Sequence, residues 1–200
     1  MAAPPNPPPA EWDASTYHRV SVPQLRWGSA VLGGVELRGD ELAVDAGCGT
    51  GRLTERLLAR LPRGRVIGID RSLAMVVHAR RHLTALGTRF SAVQADLCDV
   101  PVGSAAVDLV FSTATFHWIT DHDRLFGEVA RVLRGGGRLV AQCGGVGNVE
   151  RVHAWARQAM ALPGLAPSFA GWVDPWKFAT ADECERRLRA AGLHVERVGL

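Results

Sequence analysis

Short apolar runs alternate with amphipathic helical patterns along most of this chain. That alternation constrains the fold more than any other feature. ELAVDAG (41–47), RVIGID (65–70), RFSAVQAD (89–96), VDLVFSTATF (107–116) and RLVAQCGG (138–145) have the length and β-branched content of strands. Between the first two, RLTERLLARL (52–61) sets Leu53, Leu57, Leu58 and Leu61 on one helical face, ended by Pro62 and Gly64. SLAMVVHARRHL (72–83) reads as a helix capped by Ser72, and HDRLFGEVARVL (122–133) as another, stopped by the glycines at 135–137. Strand–helix repeats at this spacing predict a doubly wound α/β fold with a mostly parallel sheet. Right-handed crossovers then bring every strand's C-terminal end to one edge, where ligands bind. Residues 11–38 read as a helical cover, 180–193 as a last helix and 194–200 as a sixth strand. The five prolines of MAAPPNPPPA predict a disordered leader over 1–10, ahead of one domain spanning 11–200.

Charge and cysteine usage exclude several functions. The net charge is +3, and the basic residues are scattered arginines with Lys177 the only lysine, so nothing marks a nucleic-acid face. Cys48, Cys98, Cys143 and Cys184 include no CxxC pair, which argues against a disulfide framework or a zinc site. No charged-then-apolar leader and no run of membrane-spanning length is present, so the expected location is the cytoplasm.

The stretch VDAGCGTGRL (44–53) carries the chemistry. Gly47, Gly49 and Gly51 follow the first strand, and alternate glycines leave bare backbone for a close approach. The spacing G-x-G-x-G differs from the dinucleotide fingerprint G-x-G-x-x-G. Asp70 ends the second strand about 20 residues on, where a carboxylate can accept from two ribose hydroxyls. A third acid, Asp96, ends the third strand. A nicotinamide-dependent dehydrogenase would share the sheet, but the glycine spacing and Asp96 count against it.

DAGCGTG with Asp70 and Asp96 resembles the class I S-adenosylmethionine-dependent methyltransferases, and VDLVFSTATFHWITDHDRLFGEVARVLRGGGRLV (107–140) resembles their fourth strand through fifth. The likeness is nearest to small-molecule members of the trans-aconitate type. It covers about residues 11–200, although the family's LRPGG turn is Leu133-Arg134-Gly135-Gly136-Gly137 here. The family's further antiparallel strand has no counterpart, leaving an open sheet edge that could pair with another chain. The resemblance implies that Asp45, Gly47, Gly49 and Gly51 line the methionine moiety of S-adenosylmethionine. The moiety's carboxylate would lie near the backbone around Thr50 and Arg52, and its amine near Asp45. It further implies Asp70 on the ribose, Arg71 and Ser72 beside the adenine, and Asp96 with the Leu97 backbone on the adenine edge. Thr113 would face the sulfonium, with Tyr17 and Gln24 closing over the methionine end.

The activated methyl group needs alignment and exclusion of water, without metal or covalent intermediate. The expected reaction is methyl transfer to a small organic acceptor through a carboxylate or hydroxyl oxygen. His117, in FHWI beyond the fourth strand, is the candidate base, unless it and Trp118 only form the wall. Trp155, Phe169, Trp172, Trp176 and Phe178 mark 150–180 as a substrate cap. A non-catalytic module that binds the cofactor or its demethylated product is the other reading.

Overall fold

The structure, a computed structural model, describes residues 11–200, so the proline-rich leader lies outside the described residues. Helices α1 (Ala14–Val20) and α2 (Val22–Gly33) precede an alternating series. It runs β1 (Leu42–Ala46), α3 (Arg52–Ala59), β2 (Arg65–Asp70), α4 (Leu73–His82), β3 (Phe90–Gln94) and β4 (Val107–Thr113). Then follow α5 (His122–Val132), β5 (Leu133–Gln142), α6 (Glu150–Met160) and α7 (Ala181–Ala190). The strands form one parallel sheet in the order β3-β2-β1-β4-β5. The order reverses between β1 and β4, so their C-terminal ends flank the switch-point crevice.

Strand alternation divides the core. Ala43, Leu109 and Phe111 pack with Leu57, Leu58 and Leu61 on the face covered by α2 and α3. Val44, Ile69 and Val110 meet Leu125 and Val129 of α5 on the other. Caps set the helix starts: Ser72 Oγ accepts from Met75 N, Asp121 caps α5, and Thr180 with Glu183 forms a capping box on α7. Among the described residues, no helix is long and apolar enough to cross a membrane.

Two sequence expectations need correction. Strand β5 begins at Leu133, directly after α5, because Val107 pairs with Leu133 while Leu109 pairs with Arg138. Residues 134–137 bulge out of the ladder there, with Gly136 at φ +77°. The sixth strand does not form, so the sheet has five strands among the described residues. Its Val195, Val198 and Leu200 supply the residue types of a strand, but Leu200 comes against Gly145, beyond the end of β5, where no strand among the described residues offers a ladder.

The two ends of the sheet treat their acids differently. At the N-terminal end, Asp108 accepts from Leu42 N (2.9 Å) and pairs with Arg38 and Arg134. At the C-terminal end, Asp45, Asp70 and Asp96 form no ion pair among the described residues.

Candidate functional site

The crevice is built around the turn after β1. Gly47 N and Cys48 N both donate to the Ile69 carbonyl, at 2.8 and 3.0 Å, which ties the turn to β2. Gly47 sits at φ +83°, and a Cβ there would overlap the Thr115 side chain. Gly49, at φ +53°, has only the Tyr17 ring within reach, 3.7 Å from where its Cβ would be. Glycine at 47 lets Thr115 pack against the turn, and glycine at 49 leaves open space beneath the Tyr17 ring beside the head of α3, the kind of helix start that receives anionic ligand groups. Gly51 caps α3 in the left-handed conformation.

Two carboxylates flank the turn. Asp45 is buried, and its Oδ2 accepts from Thr54 Oγ1 at 2.6 Å. Burial raises its pKa to about 6, a position that a nearby cation would relieve. Asp70 accepts from Gly49 N through Oδ2 and from Ser72 N through Oδ1, each at 2.9 Å. Burial raises its pKa too. Each oxygen still has a lone pair for a hydroxyl donor.

One cleft joins Tyr17, Gln24, Asp45, Gly47, Gly49, Thr50, Arg52 and Thr113. Gln24 Oε1 is buried there without a partner among the described residues. Ser21, Leu25, Cys48, Leu53 and Ala114 also line it, and the sequence reading missed all five. Leu53 shares a helical face with Leu57 and Leu61, and Leu25 lies within the helical cover of 11–38, so both read as packing residues and their place in the cleft is hidden. Ala114 holds φ +54°, a strained conformation that its identity does not signal.

Other expected residues lie around the cleft, outside its lining. Arg71 is exposed, and its carbonyl accepts from Gln94 Nε2. Asp96 is exposed in the turn after β3, with Oδ1 accepting from Cys98 N at 2.9 Å. The Leu97 side chain is buried in the α5-side core.

His117 stands in a 3-10 turn, Phe116–Trp118, just past β4. Its Nδ1 accepts from Gly144 N at 3.2 Å, and burial pulls its pKa down to about 4. Its ring stacks on Phe178, which also contacts His153 and Trp176. Trp118 touches Trp176 and Trp12, and Trp12 touches Tyr17. A continuous aromatic wall thus runs from the cleft to the 150–180 segment.

Residues 44–141 match the family model described as a methyltransferase domain. An uncharacterized methyltransferase of Schizosaccharomyces pombe is 34% identical, over 94% of this chain and 72% of that protein. The chain belongs to the S-adenosylmethionine-dependent methyltransferases. A trans-aconitate 2-methyltransferase of Methylobacterium nodulans is 33% identical over 94% of this chain and 70% of its own. One from Acidovorax ebreus is 37% identical over 66% of this chain, which spans 49% of that enzyme's length. Among solved structures, the complex of the Haloferax volcanii Trm112 methyltransferase activator with a methyltransferase superposes at TM-score 0.72 and 25% identity. That match covers 94% of this chain and 76% of the other.

S-adenosylmethionine is the cofactor of this methyltransferase, and the cleft fits it. The open space over Gly49, the raised Asp45 and the Asp70 carboxylate, neither of which forms an ion pair among the described residues, are complementary to a zwitterionic amino acid joined to a ribose.

Proposed function

We propose that this methyltransferase moves the methyl group of S-adenosylmethionine onto a carboxylate oxygen of a small organic acid. The observation that carries the acceptor class is the hydrogen bond from Gly144 N to His117 Nδ1. Because Nδ1 is the accepting nitrogen, neutral His117 carries its proton on Nε2. With a pKa near 4 and its free lone pair engaged, His117 is a hydrogen-bond donor, not a base. A hydroxyl acceptor needs its proton removed, whereas a carboxylate arrives ionised. Its oxygen forms the new O–CH3 bond while the S–CH3 electron pair returns to sulfur. The two charges annul each other, and no proton moves.

In this reading Asp45 takes the cofactor's ammonium, and the N–H groups around Thr50 and Arg52 take its carboxylate. Asp70 accepts from the ribose hydroxyls, with Arg71, Asp96 and Leu97 around the adenine. Thr113 faces the sulfonium, and Tyr17 and Gln24 close the methionine end. His117 Nε2–H steadies the acceptor carboxylate, while Phe178, Trp176 and Trp118 form an apolar wall that excludes water. The relatives named trans-aconitate 2-methyltransferases support an acid acceptor.

The test is transfer of labelled methyl to a panel of di- and tricarboxylic acids and of phenols. Methyl esters release volatile methanol in mild alkali, and phenyl ethers do not. Alkali-labile label on the acids is the expected result. Transfer to phenols with none to acids would overturn the acceptor assignment.

A further inference from the structure

Residues 11–20 lie across the C-terminal ends of the central strands. Glu11 Oε1 accepts from Ser72 Oγ at 3.2 Å and from Ala74 N at 2.8 Å. Trp12 packs edge-on against Trp118, and the Tyr17 ring covers Gly49. At its C-terminal end, α1 is fastened to the glycine turn. His18 Nδ1 hydrogen-bonds Thr50 Oγ1 at 2.9 Å, and Arg52 Nη1 donates to the His18 carbonyl at 2.8 Å. A cofactor sealed under this strap exchanges only when the strap lifts.

His18 has a second set of neighbours on α4. Its ring centre lies 4.6 Å from that of His78 and 5.3 Å from that of His82. His78 Nδ1 is buried without a partner among the described residues. Neither ring is simply on the surface, where a helical-face reading of α4 would put them. The His78 ring lies tilted against His18 and the His82 ring edge-on to it, and the described residues hold no metal-binding group of His, Cys, Asp or Glu. From α3, Arg52 and Glu55 face the cluster, and Glu55 Oε2 lies 3.1 Å from His82 Nε2. The one carboxylate is thus committed to His82, while His18 faces two imidazoles and a guanidinium.

We propose that α1 is the lid of the cofactor cleft and that His18, packed against the rings of His78 and His82, is its proton-sensitive latch. The inference rests on the cleft being the cofactor site. Burial, then the neighbouring His78, His82 and Arg52, hold His18 below its ordinary pKa while α1 is docked. Lifted into water, His18 regains the ordinary value near 6.5. The docked state therefore refuses a proton that the lifted state accepts. Docking is unaffected at pH values well above 6.5 and weakens as the pH falls through it. Between pH 7.5 and 5.5 the docking equilibrium falls by up to about tenfold.

Asp45 also gains its proton near pH 6, so wild-type affinity at acid pH falls from two sources. The ratio of wild-type to H18Q dissociation constants isolates the latch, because glutamine keeps an amide for Thr50 but does not titrate. The experiment is calorimetric titration with S-adenosylhomocysteine at pH 7.5 and 5.5, with circular dichroism confirming folded protein at both. The expected result is a ratio that rises up to about tenfold on acidification. A ratio independent of pH would overturn the latch alone. Absence of binding by folded wild-type protein at pH 7.5 would overturn the cleft assignment and the latch together. Should H18Q not fold, H78Q removes one of the repelling rings and must lose less affinity on acidification than wild type. An equal or larger loss in H78Q overturns the latch.

Discussion

Asp45 is held against its chemistry, and replacing it with asparagine tests why. Burial raises its pKa from the ordinary 3.8 to about 6. That difference corresponds to about 3 kcal/mol by which the fold disfavours the ionised form. The sign follows from linkage. A carboxyl whose folded value is raised destabilises the fold in full above about pH 6, and the penalty fades as pH falls toward 3.8. Asp45→Asn keeps the shape and an acceptor for the Thr54 hydroxyl, and it removes the charge. At pH 7.5 the variant should gain about 3 kcal/mol, raising Tm by about 6–12 °C for a chain of this size. At pH 5 the gain should shrink to about half. Cofactor affinity should move the opposite way, because the ammonium loses its charged partner, weakening S-adenosylhomocysteine about 10- to 100-fold. Thermal unfolding at the two pH values and calorimetry at pH 7.5 provide the readouts. No gain in Tm, or an equal gain at both pH values, would refute the burial argument. Undiminished affinity would refute the ammonium assignment.

Further predictions address the rest of the cleft. Asp70→Asn leaves one accepting oxygen where two ribose hydroxyls need two, so S-adenosylhomocysteine should bind on the order of a hundredfold more weakly by calorimetry. Unchanged binding would remove Asp70 from the ribose. Gly47→Ala puts a Cβ into Thr115 at φ +83° and should lower stability by about 2–4 kcal/mol in urea unfolding. An unchanged midpoint would mean that the turn is less constrained than its backbone indicates. His117→Gln should leave cofactor affinity within about twofold and slow methyl transfer to an acid about tenfold, one hydrogen bond's worth. An equal rate would leave His117 as wall alone.

Most of the sheet is legible in the sequence because its signals are local. A strand of this sheet is a short β-branched run, and its following helix announces itself by a 3.6-residue stripe such as Leu57, Leu58 and Leu61. Ser72 and the capping box of Thr180 and Glu183 are likewise written in neighbouring residues. Residues 194–200 show the limit of such reasoning. Val195, Val198 and Leu200 give the segment the β-branched, apolar content of a strand, yet a strand exists only where another edge accepts its hydrogen bonds.

The sequence by itself determined the turn between β1 and α3 and the acids at consecutive strand ends, because glycine conformation and strand-end position follow from chain order. Tertiary structure decided what those groups can do. Asp45 and Asp108 are both strand carboxylates, but two arginines reach Asp108 while burial without an ion pair leaves Asp45 poised for a cation. His117 and Gly144 are 27 residues apart, and the bond between them, which sets the imidazole's proton on Nε2, exists only once β5 lies beside β4. His18 meets His78 only because α1 folds back across α4. Identity and spacing place a side chain along the chain. Its protonation and partners depend on which distant atoms close around it, because desolvation and hydrogen bonding act through space.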